Sequence, residues 1–512
     1  MLSVALVLFI FFIAVLRLRR SRPSLLLPPG PKPWPIIGNA LDMPTVRPWE
    51  KYREWCKKYN SDIIFLQLPM QPAIVLGSAK AVSDLLDKRS NLYSDRITSV
   101  VAEMMYWDFN VATMPYTDRW RAHRRVFHQH FHRGIVDKYQ PVQLQQVRAL
   151  LSWILEDPVN TRKHVRQFVT SVIFFVTYGK RIASMDDEYV TLAEIATDGV
   201  SQALIPGAWW IEFLPFLKHV PSWVPGTTSK KLAEKYRPHV INMINKPYEE
   251  VKVALSRGLA QPSWAATLIE ENEKKYQGTE EEAKYEEIAR NVTGIAYAAG
   301  ADTTTSGCLT FLLAMALFPK VQKRAQAELD RVVGPTRLPQ YADFGQMPYI
   351  RAIVMETLRW LPVGPFGVPH MVISDDSYNG FHIPKGSLII PDVWSILHNE
   401  EDYPDPDEFK PERFLDEQGN IDPKVRDPAT IIFGFGRRVC LGRYFSNNTL
   451  SILIASILHV FDITAGVDAT GQTVELSTVM EGGAILMPKD VPCGLKPRSA
   501  TAAQMILAAR MV

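Results

Sequence analysis

The stretch that most restricts the fold is 433–442, with the sequence FGFGRRVCLG. It places three glycines around one cysteine, Cys440, and two arginines just before it. Glycine adopts backbone angles closed to other residues and lets the chain pass close to a flat ligand. A thiolate needs nearby positive charge and backbone N–H groups. The stretch therefore predicts a tight loop with Cys440 as a soft ligand. A helix should follow from Leu441, and its N-terminus would favour the thiolate further.

The spacing Phe433-x-x-Gly436-x-Arg438-x-Cys440-x-Gly442 resembles the haem-binding loop of the cytochrome P450 family at every defining position. The resemblance implies haem b as the cofactor, with the Cys440 thiolate as the axial ligand of its iron. It also implies that Phe433, Gly436 and Arg438 bind the cofactor. In this family the thiolate pushes electron density that favours O–O cleavage. The structural alternative is a buried cysteine in a glycine-rich turn, which the loop alone does not exclude.

Composition excludes few classes of protein. The 512 residues are 47% hydrophobic and 22% charged, as in an ordinary globular protein. The net charge of +3 gives no case for nucleic-acid binding. The cysteines are scattered, without a CxxC pair or disulfide-like spacing. That distribution suits a catalytic body in a reducing compartment.

An apolar run, Leu2–Leu16, is followed at once by the basic segment 17–22. The run is somewhat shorter than the ~20 residues that span a bilayer comfortably. Because the charges follow the run and no A-x-A site is present, we predict a signal-anchor transmembrane helix at 1–18. The positive-inside rule then places the body in the cytosol. A basic and Pro-rich hinge follows at 19–45, and the haem-thiolate catalytic domain spans 46–512. The resemblance implies a single-pass protein of the endoplasmic reticulum membrane.

A long helix is predicted from about Glu286 to Phe318, and it carries the sequence AGADTT at 299–304. Small residues there let a bulky cofactor pack against the backbone, and an acid within an apolar helix is costly unless it is paired or functional. The segment resembles the oxygen-activation motif of the cytochrome P450 family. The resemblance implies that Asp302 and Thr303 relay protons from solvent to the oxygen-binding side of the haem.

Three more residues are candidates for binding the haem propionates. Trp120 and Arg124 are four positions apart in a predicted helix and share one face. The family uses such a pair for the anionic propionates; the alternative is a basic surface helix with one core tryptophan. His370 stands where many members place an arginine or a histidine. Histidine is the weaker choice, since its charge depends on pH.

A structural network is expected between the oxygen motif and the cysteine loop. Glu356 and Arg359 are three positions apart in a helix that starts at Pro348, which places acid and base together. The resemblance adds Arg413 and implies that the three side chains form a buried ion network beneath the haem loop. A lone Glu-x-x-Arg pair is common and would mean little.

Two segments are expected to cover the substrate side. The region 90–117 lacks clean periodicity, and the resemblance makes it the loop over the haem. The region 203–226 is rich in tryptophan and interrupted by four prolines, which argue against one continuous helix. Its aromatic content fits a membrane–water interface, and the resemblance makes it a lid in contact with membrane lipid. The residues expected in the pocket, which favour an apolar or aromatic substrate, are Phe366, Met480, Leu486 and Met487.

The resemblance covers nearly the whole chain and implies the mainly α fold of the family, with a small β-rich part near the N-terminus. The chain is most similar to fungal, basidiomycete-like microsomal monooxygenases that tailor secondary metabolites or handle xenobiotics. The implied function is a haem-thiolate monooxygenase that inserts one oxygen atom from O2 into an apolar small molecule, such as a terpenoid or an aromatic xenobiotic. Because the sequence has no flavin motif, ferredoxin cysteine pattern or GxGxxG fingerprint, electrons are expected from NADPH through a separate NADPH–cytochrome P450 reductase.

Two other functions use the same cysteine. A haem-thiolate isomerase, dehydratase or peroxygenase would need no reductase. The intact Asp302–Thr303 pair argues against these enzymes. A non-enzymatic haem sensor would need no proton relay or lid, and it would consume no NADPH with any substrate.

Overall fold

The computed structural model describes residues 26–509, except 45, 70, 205–207, 225–226, 469 and 484. The predicted anchor at 1–18 and the first part of the hinge lie outside the described residues. No single helix in the described part of the chain combines the length and the hydropathy needed for a membrane span.

Helices dominate the described chain, as the sequence predicts. Those of ten or more residues are α1 Pro48–Tyr59, α2 Asp118–Phe131, α3 Gln140–Glu156, α4 Thr161–Tyr178, α5 Glu188–Ala203, α6 Thr228–Ser256, α7 Trp264–Tyr276, α8 Glu281–Leu317, α9 Pro319–Val332, α10 Pro348–Trp360, α11 Arg443–Val460 and α12 Ala500–Ala509. Shorter helices cover Ala79–Val82, Ser90–Tyr93, Val100–Met104, Trp210–Phe213, Val393–Leu397 and Ala429–Ile432.

Local signals set where several helices begin. Thr117 and Ser263 each accept a hydrogen bond from a backbone N–H in the first turn of α2 and α7. Pro319 and Pro348 lie in the first turns of α9 and α10, where a missing N–H costs nothing. Helix α8 begins at Glu281, earlier than predicted, because acidic residues in its first turn favour the positive end of the helix dipole.

The small β part is assembled from distant parts of the chain. Strands β1 (Ile63–Gln67) and β2 (Pro72–Leu76) form the antiparallel hairpin that apolar alternation predicts. Strand β6 (Leu388–Pro391) pairs parallel to β2, and β3 (His370–Met371) pairs antiparallel to β6, so the sheet order is β1-β2-β6-β3. The expectation of a β part near the N-terminus is therefore only half right. The other pairs are β4 (Asp376–Tyr378) with β5 (Phe381–Ile383), β7 (Phe461–Ala465) with β10 (Cys493–Pro497), and β8 (Met480–Gly482) with β9 (Leu486–Pro488).

Helix α8 runs through the main apolar core and packs against α2, α4, α6, α7 and α11. Its residues from Ala289 to Ala298 are largely buried around the helix, and burial resumes at Thr304. Between them, Ala299 is exposed and the next four residues are only partly buried. A helix buried on most sides has such a break where one face borders open space inside the molecule. The break coincides with the predicted oxygen motif.

The described end of the Pro-rich hinge lies against the catalytic domain. Phe65 donates its backbone N–H to Pro29 O at 2.9 Å, and Asn39 donates its own to Gln67 O at 2.7 Å. A Cβ on Gly30 would lie 2.0 Å from Phe65 O, so only glycine permits this approach to β1. From Pro29 onward the segment is therefore hydrogen-bonded along β1. These contacts begin within the range 19–45 that was predicted for the hinge.

Candidate active site

The cysteine loop is a tight turn, as its glycines predict. Cys440 donates its backbone N–H to Phe433 O at 2.7 Å, which closes the loop. Gly434 and Gly436 have φ of 77° and 51°, angles that favour glycine. A Cβ on Gly436 would lie 2.2 Å from Leu86 O, so the loop also approaches neighbouring backbone too closely for a side chain. Helix α11 follows from Arg443.

The Cys440 thiol faces an interior space. Its side chain has accessible surface, yet it lies deep among protein atoms, and that burial raises the pKa of the thiol. A hydrogen bond from the backbone of Gly442 opposes the rise, as do the positive charges of Arg124 and Arg443. Accessible surface on a side chain that is surrounded by protein atoms indicates an internal cleft. The groups that oppose the rise in pKa are those that stabilise a thiolate.

The α8 motif lies beside the helix that follows the cysteine. Helices α8 and α11 pack together, and the Thr304 and Ser446 hydroxyl oxygens are 3.2 Å apart. Thr303 donates its Oγ1–H to Ala299 O at 2.9 Å, a bond to the preceding turn that is common for threonine in helices. Ala299 and Thr303 are four positions apart and share the accessible face of α8. Each thereby places a small side chain at the open space.

A cationic cluster contains Arg124, predicted to bind a propionate, and Arg438, predicted to bind the cofactor. Arg438 donates to Ser94 O and to Met114 O, both at 2.7 Å, and its guanidinium lies 4.2 Å from the Trp120 ring centroid. Arg124 donates to Val439 O at 2.7 Å. Burial lowers the pKa of each arginine to about 10. The positive charge of Arg124 adds to the lowering at Arg438. A bound anion would therefore stabilise the charged form of these arginines.

Arg96 is a third member that sequence reasoning missed. It is buried and donates to Val368 O at 2.5 Å, Pro369 O at 2.7 Å and Ala112 O at 3.1 Å. Burial lowers its pKa well below the usual range, and the charges of Arg438 and Arg124 contribute to the shift. No periodicity marks the segment that contains Arg96, and an Asp-Arg pair in such a segment is typical of a surface. The useful signal would have been an arginine among the aromatic and apolar residues of 90–117.

His370 also lies at this cluster, beside Arg96 and Arg438. It is buried, and its Nδ1 is 2.6 Å from Tyr93 O. A carbonyl only accepts, so Nδ1 carries the proton. Burial lowers the pKa of His370 well below its usual value, and the charges of Arg96 and Arg438 lower it further. The neutral ring therefore has only an acceptor at Nε2, whereas Arg96 supplies charge and donors.

The residues present fit haem. A thiol faces an interior cleft, small residues border that cleft, and the three guanidiniums of Arg96, Arg124 and Arg438 carry more positive charge than the neighbouring Asp95 carboxylate balances. A flat, dianionic cofactor with a thiolate-binding metal matches each of these requirements.

The predicted ion network is present between α10 and the segment around Arg413. Glu356 accepts two bonds from Arg359, at 2.7 and 2.8 Å, and one from Arg413 at 3.1 Å. The side-chain exposures are 0%, 0% and 5%. The Lys410 backbone N–H also donates to Glu356 at 2.8 Å, and Arg359 donates to Leu397 O at 3.0 Å. The network therefore ties α10 to the segment that leads to the cysteine loop.

The expected pocket residues are not all at the pocket. Met480 and Leu486 belong to the β8–β9 hairpin, which reaches α8 where Ser306 donates to Leu486 O at 2.6 Å. Phe366 instead packs against α1, with its ring centroid 5.5 Å from that of Tyr52 and 5.9 Å from that of Trp49. The prediction that Phe366 lines the pocket is wrong, because its ring packs on the aromatic residues of α1 instead.

The cytochrome P450 family model matches residues 28–488. The chain belongs to the cytochrome P450 family. It is 41% identical over 483 residues to a cytochrome P450 monooxygenase of Rhodocybe pseudopiperita, covering 94% of this chain and 91% of the relative. It is 39% identical over 498 residues to a cytochrome P450 monooxygenase of Armillaria gallica, covering 96% of both chains. A tryptamine 4-monooxygenase of Psilocybe cyanescens is 35% identical over 498 residues, again covering 96% of both.

These relatives are basidiomycete enzymes, as the sequence predicts, and the chain is a cytochrome P450 monooxygenase. The family carries haem with a cysteine thiolate on its iron and uses O2 and a redox partner.

Proposed function

We propose that this cytochrome P450 binds haem b through Cys440 and inserts one oxygen atom from O2 into an apolar small molecule. The electrons come from NADPH through a separate membrane-bound reductase, and the protein is held at the endoplasmic reticulum membrane with its catalytic domain in the cytosol. One observation carries the proposal. The Cys440 thiol faces an interior cleft beside two buried arginines and one half-buried arginine, and helix α8 borders such a space at its oxygen motif.

Haem, when bound, supplies the redox chemistry and the binding of O2. Cys440 would hold its iron, and the guanidiniums of Arg96, Arg124 and Arg438 would neutralise its two carboxylates. Hydrogen bonding and nearby positive charge keep the thiol as a thiolate once metal is present. These side chains would thereby hold the cofactor in the cleft that α8 borders.

Asp302 and Thr303 would supply protons to the cleft from the α8 side. Burial raises the pKa of Asp302, so its carboxyl holds a proton more readily than a surface aspartate does. Thr303 donates its Oγ1–H to Ala299 O and lies on the accessible face of α8, so its hydroxyl can exchange this bond for one to a group in the cleft. A carboxyl that exchanges with solvent and a hydroxyl that faces the cleft form a two-step path for a proton.

The substrate is an apolar secondary metabolite, such as a terpenoid, or an aromatic xenobiotic. Apolar residues of the β8–β9 hairpin near α8 support this class. Trp210, Phe216 and Trp223 are exposed in the described part of the predicted lid, as expected of a segment that contacts lipid. One relative is named as a tryptamine 4-monooxygenase, so aromatic amines belong in the first substrate panel.

The test is the carbon monoxide difference spectrum of reduced membranes that contain the chain, compared with the Cys440→Ser variant. A strongly red-shifted Soret band in the wild type alone supports thiolate-bound haem. Folded, haem-loaded wild type without that band refutes the proposal.

Reductase dependence separates the related functions. We expect NADPH consumption and a hydroxylated product only when the reductase is present. Product formation without reductase would instead indicate an isomerase, a dehydratase or a peroxygenase. A red-shifted band with no NADPH consumption across the substrate panel would favour a haem sensor.

A further inference from the structure

Glu212 joins the predicted lid to the loop 90–117, which we call the cover loop. Its carboxylate accepts three hydrogen bonds from that loop. The Ser99 hydroxyl donates at 2.6 Å, and the backbone N–H groups of Val100 and Val101 donate at 2.8 and 3.1 Å. These two N–H groups lie in the first turn of a helix, where the helix itself offers them no acceptor. One side chain of the lid therefore satisfies donors that the backbone of the cover loop leaves without a partner.

Both ends of the cover loop are bound at the arginine cluster. Arg438 donates to Ser94 O and to Met114 O, both at 2.7 Å. Arg96 donates to Ala112 O at 3.1 Å. The chain leaves the cluster after Arg96 and returns to it at Ala112, so the residues between them reach from the proposed cofactor site to the lid. The cover loop is thus one wall of the cleft, and Glu212 binds that wall at its outer end.

The helix Val100–Met104 of the cover loop packs on α5 and α6 as well as on the lid. Arg237 of α6 donates to Met104 O at 3.2 Å. Met105 is buried, and a Cβ on Gly199 of α5 would lie 2.9 Å from its Cε. The helix is therefore in close contact with the body of the protein on that side. On the other side it meets the lid along a seam, and Glu212 supplies three hydrogen bonds across it.

We propose that Glu212 is a positioning residue that keeps the seam between the lid and the cover loop closed, and so selects by size which apolar molecules reach the cleft. The exposed ring of Trp210 lies on the same short lid helix, so the seam adjoins the surface proposed to contact lipid. A molecule that passes between the two segments has to break the bonds to Glu212, and a bulkier molecule needs a wider separation. This inference rests on the proposed haem-binding function.

The first experiment examines the seam without a ligand. Hydrogen–deuterium exchange of the full-length, haem-loaded protein reports opening at the amides of Val100 and Val101. We expect Glu212→Ala to speed their exchange at least about tenfold, because each amide loses a hydrogen bond to a charged group. Glu212→Gln keeps one acceptor oxygen and should lie between Glu212→Ala and the wild type. Glu103→Gln is the matched control, since it removes the same charge from an exposed position of the same helix, and it should leave the exchange unchanged.

The second experiment measures entry with two probes of different size, imidazole and clotrimazole. The ring nitrogen of each shifts the Soret band when it binds haem, so stopped-flow absorbance gives the association rate. Glu212→Ala should speed clotrimazole association at least about tenfold and leave imidazole within about twofold of the wild type. In the Ser99→Ala background the same substitution should have a smaller effect, because Ser99 donates to the same carboxylate. Glu103→Gln should bind both probes as the wild type does.

The outcomes separate this inference from the proposed function. Wild-type clotrimazole rates in Glu212→Ala, or equal acceleration of both probes, would show a structural role alone and overturn the selection by size. The haem-binding function would stand in either case. A folded wild type in which neither probe shifts a Soret band overturns the proposed function, and the role of Glu212 falls with it.

Discussion

Replacing Glu356 by alanine removes the carboxylate that Arg359 and Arg413 share. Arg359 loses two charge-assisted hydrogen bonds, and Arg413 loses the one at 3.1 Å. The Lys410 backbone N–H loses its partner as well. Because the Arg359 and Arg413 side chains are 0% and 5% exposed, water does not replace these bonds without opening the structure.

The expected cost follows from this geometry. Breaking a buried ion pair by removing one partner costs about 3–5 kcal/mol, because a charge is left buried and uncompensated. At about 2.1 cal/mol/K per residue, a chain of 512 residues unfolds with an entropy of about 1 kcal/mol/K. Glu356→Ala should therefore lower the melting temperature by about 3–5 °C and reduce the free energy of unfolding by about 3–5 kcal/mol.

The assay is urea and thermal unfolding of the haem-loaded protein, followed by far-UV circular dichroism and by the Soret band. Glu54→Ala is the matched control, since Glu54 pairs with Lys51 at the same i, i+3 spacing but on an exposed face of α1. That control should change the free energy of unfolding by less than about 0.5 kcal/mol. If both variants lose the same small amount, the network contributes no more than a surface pair. The reasoning from burial would then be wrong.

Three further changes test other parts of the structure. Thr303→Ala removes the hydroxyl at the cleft and should lower product formed per NADPH at least about tenfold, measured with reductase and substrate. Gly436→Ala places a Cβ 2.2 Å from Leu86 O at a φ of 51° and should reduce the haem-loaded fraction, measured from the absorbance ratio of haem to protein. Burial raises the pKa of Asp392 from 3.8 to about 7, so the folded state binds the extra proton between these values and stability falls as pH rises through that range. Asp392→Asn, followed by urea midpoints, should remove about 3 kcal/mol of that fall between pH 5 and 8.

Each of these three predictions would be contradicted by a specific result. Undiminished coupling in Thr303→Ala counts against the proton path. Gly307→Ala, whose Cβ would have no neighbour closer than 3.8 Å, should load haem normally. Equal loss in the Gly307 and Gly436 variants would show that any glycine change is harmful. Identical pH profiles for wild type and Asp392→Asn would mean that Asp392 titrates alike in the folded and unfolded states.

Sequence reasoning succeeded where the signal is local. The glycines and the cysteine of 433–442 predict a tight loop because their backbone requirements act within ten residues, and that loop is observed. Glu356 and Arg359 meet because three positions bring side chains together on a helix. Apolar alternation likewise predicts the β1–β2 hairpin.

Features that depend on distant partners were not predictable in this way. Arg96 binds Val368 O, 272 positions away, and Arg166 meets Asp302 across 136 positions. Neither has a local pattern that marks it. The position of His370 was found, but its neutral form depends on burial and on two arginines brought to it by the fold.

The parallel pairing of β2 with β6 has a consequence for how the chain is made. Gln71 donates to Gly386 O, 315 positions later, so the β1–β2 hairpin has no sheet partner when it leaves the ribosome. At about 5–20 residues per second, the hairpin waits roughly 15–60 s for β6 to be synthesised. An unpaired apolar strand edge exposed for that time is a site for chaperones or for aggregation. The yield of folded enzyme in a foreign host should therefore depend on translation speed and chaperone supply.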